Sequence, residues 1–278
     1  MSLKTDRIHE VEDNLLATID YCYEQGWTDG LPVVPPDVKR VEEMLLFEGR
    51  PPETVLAIHQ ATELECTVHA AAVNSVMAGC KPEYFPVVVA AFEAMNEPDF
   101  NFHGSTASTG GSAPLLIVSG PIIDDIGMNA DVNLFGPGNR ANATIGRAVR
   151  LILMNVFQMI PGLSDKSTQG NPGKYSFCIA ERARNNPWPL LVQEQEYPPG
   201  VSSVLFSPVV VSAMSRTMEA ISRSRSWALS QTPWQATAVS PWANRSLCFR
   251  RSICASSLPQ AGTNVRFRNF YLAAPSVR

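Results

Sequence analysis

Gly136-Pro137-Gly138-Asn139-Arg140-Ala141-Asn142-Ala143-Thr144-Ile145-Gly146-Arg147 is a glycine-proline loop that runs straight into a helical pattern. Behind it Ile145, Val149, Ile152 and Val156 recur at three- and four-residue steps, which is one face of an α-helix. Asn139 or Asn142 can cap that helix by accepting an unpaired first-turn N–H. A helix start carries partial positive charge and free donors, and Arg140 and Arg147 add full charge there. The stretch therefore predicts a site for the anionic group of a small ligand, bound by Gly138, Asn139, Arg140, Asn142, Thr144 and Arg147. Nucleotide motifs are excluded by context. Only Leu134-Phe135 precede the formal Gly136-x-Gly138-x-x-Ala141 match, and the next acidic residue is Asp165.

Working outward, the segments on both sides alternate between helix and short strand. Val11, Leu15, Ile19 and Cys22 form one helical face that Gly26 ends. Trp27 to Pro36 holds an Asp-Gly turn and three prolines, so it must be extended. Asp37 can cap a second helix that ends near Gly49. A third opens at Thr62, where Thr62-x-x-Glu65 fits a capping box, or at Thr67. It runs to Gly79, and its many small residues predict a central helix. Another follows from Pro86 to Met95, after the corner Cys80 to Phe85. Asn101 to Ala113 reads as a polar loop, Leu115 to Val118 as the best strand, and Phe177–Ala180 and Val201–Val211 as further strands. The fold class this predicts is a mixed α/β or α+β domain over residues 1–212, with several helices around a short-stranded sheet.

No apolar run has the length of a membrane span, and no secretion signal opens the chain, so the expected compartment is the cytoplasm. The six cysteines show neither Cys-x-x-Cys pairs nor metal spacing. No metal or cofactor is expected, and the acidic body argues against nucleic acid. The expected assembly is a homo-oligomer.

Cys80 is the candidate nucleophile or redox thiol, because it precedes a helix start and adjoins Lys81; both features favour thiolate. His103 is a candidate acid or base near neutral pH, and Glu181, at a strand end, is a further catalytic candidate. Asp29 and Lys174 complete the expected substrate-binding set. The function these residues suggest is an enzyme acting on a small anionic substrate. The alternative is a non-catalytic ligand-binding or partner subunit with an inert, buried Cys80.

Four motifs occur in order: Gly26-Trp27-Thr28-Asp29-Gly30-Leu31-Pro32-Val33-Val34-Pro35-Pro36, then Val73 to Pro86 with Ala78-Gly79-Cys80-Lys81-Pro82-Glu83-Tyr84-Phe85-Pro86 at its end, the opening stretch through Arg150, and Asn171-Pro172-Gly173-Lys174-Tyr175-Ser176-Phe177-Cys178-Ile179-Ala180-Glu181. Together they resemble a bacterial family of largely uncharacterised proteins found beside, or fused to, the UGSC (seleno)protein domain. The resemblance spans roughly residues 10–212. It implies thiol or selenol redox chemistry nearby and a UGSC-type (seleno)protein as partner, with no particular substrate. That family has a histidine where this chain has Asn171.

The net charge of −4 hides an asymmetry. All 26 acidic residues lie at or before Glu219 with 14 of the 22 basic ones, whereas residues 220–278 hold eight arginines, no lysine and no acid. This stretch also carries three of the five tryptophans, and no helical or strand periodicity shows between Arg223 and Pro259. Residues 213–278 are therefore set apart as an anomalous Arg/Ser/Trp-rich tail. The expectation is that the chain from about 215 onward arises from a shifted reading frame.

Overall fold

The computed structural model describes residues 7–9, 11, 14–97, 100–194, 200–210, 247–249 and 270–272. In chain order these give β1 (Arg7–His9), α1 (Leu15–Glu24), α2 (Val38–Glu48), β2 (Val55–His59), β3 (Leu64–Thr67), α3 (Val68–Ala78) and α4 (Phe85–Met95). There follow α5 (Phe102–Thr106), β4 (Ser112–Ser119), α6 (Ile122–Asp125), α7 (Arg140–Asn155), β5 (Cys178–Ala180), α8 (Leu191–Glu194), β6 (Ser203–Val210), β7 (Leu247–Phe249) and β8 (Phe270–Leu272). The result is a mixed α/β domain.

Its main sheet runs β5-β4-β6-β7. β5 lies parallel to β4, and β6 antiparallel to it, from Ser112↔Val210 to Ser119↔Ser203. Both senses occur in one sheet, a distinction that the apolar strand patterns do not carry. The ladder tolerates Pro114 opposite Pro208. Leu116 donates its N–H to the Phe177 carbonyl, so even-numbered β4 residues face β5. β5 begins its pairing only at Leu116, so the N–H missing at Pro114 has no partner to lose.

α3 is the hub. All its residues except His69 are buried, and it packs on α7, α2 and α4. A helix buried on every side must be apolar or small all round, and Ala70-Ala71-Ala72 with Ala78 meets that condition. Thr67 caps it by accepting the Ala70 N–H at 3.2 Å, and Gly79 ends it at φ +91°. α4 buries Phe85, Val88, Phe92 and Met95 against α3, α7 and β6, each such side chain stabilising the fold by roughly 1.5–3 kcal/mol.

Three sequence expectations are corrected. The Thr62-x-x-Glu65 capping box is not used. Residues 55–67 form the β2–β3 hairpin, Glu63 takes φ +56° in its turn, and the Thr62 hydroxyl meets His59 Nδ1 at 2.7 Å instead. Part of the Asn101–Ala113 loop is the short helix α5. In α1, Leu15 is exposed, because the helix begins there behind its Asn14 cap and buries Thr18 and Cys22. Within the 213–278 segment, β7 pairs with β6 and β8 with β1. The remainder of that segment, and with it the reading-frame expectation, lies outside the described residues.

Gly146 is where α7 meets the sheet. A Cβ placed there would stand 2.5 Å from Ser176 Oγ and 2.7 Å from the Phe177 backbone nitrogen. Gly146→Ala is expected to lower stability by about 1–3 kcal/mol, the usual range for overpacking, despite alanine's better helix propensity. Chemical denaturation of both proteins checks this, and an unchanged or raised midpoint would show that the contact is slack.

Candidate functional site

The 27–36 segment, extended as its prolines require, lies across α3 and α7. Val34 donates to the Met77 carbonyl at 3.0 Å, and Asn155 Nδ2 to the Trp27 carbonyl at 2.9 Å. Arg147 is the main clamp. Its Nε and Nη2 form two 2.8 Å bonds to the Asp29 carboxylate, and Nη2 also reaches the carbonyls of Leu31 and Pro32. Asp29 caps its own turn through the Leu31 N–H. Both residues were expected to face a ligand. They face each other, since a planar guanidinium fork matches a carboxylate in two-bond geometry.

The same holds for several other candidates. Asn139 does cap α7, accepting the Asn142 N–H at 3.0 Å, while its Nδ2 donates to the Gly127 carbonyl at 2.7 Å. Buried Asn142 bonds both the N–H and the carbonyl of Asn129. These amides tie the 127–130 turn to the helix start and are used up in doing so. Lys174 puts its Nζ 2.7 Å from both oxygens of Asp165, a buried carboxylate that also takes Arg150 at 3.3 Å. Burial alone would raise the Asp165 pKa, but bonds from Lys174 and Ser167 outweigh it and hold the carboxyl below its ordinary value. Glu181 accepts from Ser119 Oγ and from the Leu191 N–H, anchoring the start of α8 to the strand ends. Gly138 adopts φ +120° with open space around it, so its role is conformational.

Cys80, Arg140 and Thr144 do come together. A cleft of about 300 Å³ lies where α2 and α7 begin and α3 ends. Its floor is Met44, Val76, Cys80 and Pro82, and its charged rim is Lys39, Arg40, Lys81 and Arg140 against Asp37 and Glu43. Arg140 directs Nε and Nη2 at the Gly79 carbonyl, at 3.1 and 2.9 Å, a cation placed on the negative end of α3. No carboxylate partner holds Arg140, Lys39 or Arg40 among the described residues. Lys81 has an exposed 3.4 Å pair with Glu83, an arrangement worth little, and its Nζ lies 5.8 Å from the centre of the Tyr84 ring. Asp37 is spent on capping, its carboxylate accepting the Lys39 N–H at 2.8 Å.

Lys39 and Arg40 were missed as site residues, though a signal was present. A helix start favours acids and disfavours cations, by roughly 0.3–1 kcal/mol each. Neither α2 nor α7 has an acid in its first turn, and both put arginine or lysine there. Such local conflicts concentrate at functional sites.

Cys80 sits on the cleft floor at 7% exposure. Burial pushes its thiol up to about 12, while the Thr144 hydroxyl and the Arg140 charge pull less strongly the other way. The expectation of a lowered pKa is thus reversed. Lys81 turns outward, and the corner before the next helix is packed in apolar side chains. Cys66 and Cys178 are raised by burial too.

His103 is exposed on α5, with Nδ1 3.2 Å from Nε2 of buried His59. Nothing in the pattern around His59 singles it out, since it is a lone histidine at the end of a short apolar run. Among the described residues no group of three or more His, Cys, Asp or Glu is placed to hold a metal, and no helix is long and apolar enough to cross a membrane. Comparison with protein-family models, curated proteins and solved structures gives no match for this chain.

The thiol chemistry is open to direct measurement. Peptide-resolved alkylation with iodoacetamide is expected to label native Cys80 slowly at neutral pH, with a rate still climbing above pH 8.5, the ordinary thiol value. A rate that levels off at or below about 8.5 would contradict the burial argument.

Proposed function

We propose that this protein binds a small anionic molecule in the cleft at the starts of α2 and α7, and holds it as a binding subunit rather than reacting with it through its own thiol. One observation carries the reading: four cationic side chains ring the cleft, and of the two acids there Asp37 is already engaged as a helix cap. Among the described residues no ion pair except the loose one of Lys81 balances the net excess of positive charge.

The lining also suggests the shape of the ligand. An anionic head, carboxylate or phosphate, would meet Arg140 and the lysines at the rim, with charge-assisted bonds contributing about 1.5–3 kcal/mol each. Arg140 is held in place by the Gly79 carbonyl, so little side-chain freedom remains to be lost on binding. A short apolar body would rest on Met44, Val76, Pro82 and the neutral Cys80 thiol. A neutral, buried thiol favours this binding role over nucleophilic catalysis. The chemistry would then belong to a separate protein, and the motif resemblance suggests a UGSC-type (seleno)protein for that part.

Calorimetric titration with inorganic phosphate and with succinate at low ionic strength tests the reading. At least one probe is expected to bind, weakening as salt is added. Arg140→Ala should weaken it about 10- to 100-fold, the loss of one charge-assisted bond. Cys80→Ser should leave affinity within about threefold of wild type, because the thiol supplies only floor. Binding unaffected by Arg140→Ala would overturn the site assignment.

A further inference from the structure

The imidazole pair His59–His103 plays no part in the cleft, and its geometry is unusual. His59, at the end of β2, is completely buried. Its ring is walled by Phe102 at 5.0 Å, edge-on, and by Phe157 at 6.3 Å. Its Nδ1 lies 2.7 Å from Thr62 Oγ1 and its Nε2 lies 3.2 Å from His103 Nδ1. His103 is exposed, so its Nε2 side can exchange protons with water. Thr62 in the hairpin turn, Phe102 and His103 on α5, and Phe157 after α7 are the groups set against the buried ring. Among the described residues no charged side chain forms an ion pair or hydrogen bond with either imidazole, including the sequence neighbours Glu63, Glu65 and Glu97.

We propose that this pair is a proton-operated latch, which holds α5 on the β2–β3 hairpin while the two imidazoles share no more than one positive charge and releases it when both are protonated. The count of protons gives the rule. With both rings neutral, one of the two facing nitrogens carries a hydrogen and the other accepts it. With one added proton, His103 carries hydrogens on both nitrogens and donates from Nδ1, while His59 donates from Nδ1 to Thr62 and accepts at Nε2. With two added protons, both facing nitrogens bear hydrogens, no acceptor remains, and two cations stand 3.2 Å apart with one of them out of water.

Burial, and then the neighbouring His103, lower the His59 pKa from its ordinary value, which fits the second proton being resisted. The sign follows. The contribution of His59 to stability is fully present above the unfolded value near 6.5 and is lost as pH falls from there toward the depressed folded value. The latch is therefore closed at neutral pH and opens in acid.

Hydrogen exchange, corrected for the intrinsic rate at each pH, reads the latch through the Ser105 and Ala107 amides, which bond the carbonyls of Asn101 and His103. Between pH 7.5 and pH 5 their protection is expected to fall at least tenfold in the full-length protein, while amides of α3 stay unchanged. His103→Gln is at an exposed position and can donate to neutral His59 or accept from charged His59, so its protection should fall clearly less than in the wild type, by what the burial of His59 alone causes. An equal fall in His103→Gln, or no fall in the wild type, would overturn the proposal.

Discussion

The close packing of α3 on α7 is the constraint from which the rest of the structure follows. α3 is buried on nearly every side, so each of its polar ends must find a partner inside the protein. Thr67 serves its start. At its end Gly79 turns the chain, and the Gly79 carbonyl is taken by Arg140 from the first turn of α7. The 27–36 segment fixes the pair from outside through Val34, Asn155 and the Asp29–Arg147 clamp. Gly146 lets β5 approach the other side of α7. One helix pair thus positions the sheet, the proline-rich segment and the cleft at its open end.

This packing separates charges that hold the fold from charges available to a ligand. Arg147, Arg150 and Lys174 each have a buried or nearly buried carboxylate, and removing either partner from such a pair costs roughly 3–5 kcal/mol. Arg140, Lys39 and Arg40 have none among the described residues. Arg140 is answered only by the Gly79 carbonyl at the end of α3, and an anion would give these cations the partner they lack.

Much of the fold was legible in the sequence because its signals are local. The Ala-rich run of α3, the Asp37 cap, the prolines of 32–36 and the apolar β4 strand each state their own conformation. The hairpin at 55–67 was not, because Thr62 and Glu65 mimic a helix start and only tertiary contact gives the Thr62 hydroxyl to His59. The candidate site was legible in part. The sequence identified Cys80, Arg140 and Thr144, which do converge, since each belongs to a motif at a helix end. It could not tell them from Asp29, Arg147, Lys174 and Glu181, because a residue's partner can lie more than a hundred positions away, as Asp29 does from Arg147. The protonation of Cys80 was misjudged for a related reason: helix starts and lysines are visible in sequence, whereas depth of burial is not.

The central claim is that the open end of the α3–α7 pair is an anion site built on Arg140. A crystal structure grown in tungstate, an oxyanion located by its anomalous scattering, tests this most directly. The account predicts a tungstate in the cleft with an oxygen about 3 Å from the Arg140 guanidinium, a hydrogen-bond separation, and its loss in Arg140→Ala. An empty cleft at saturating tungstate, or an anion held there unchanged without Arg140, would contradict it.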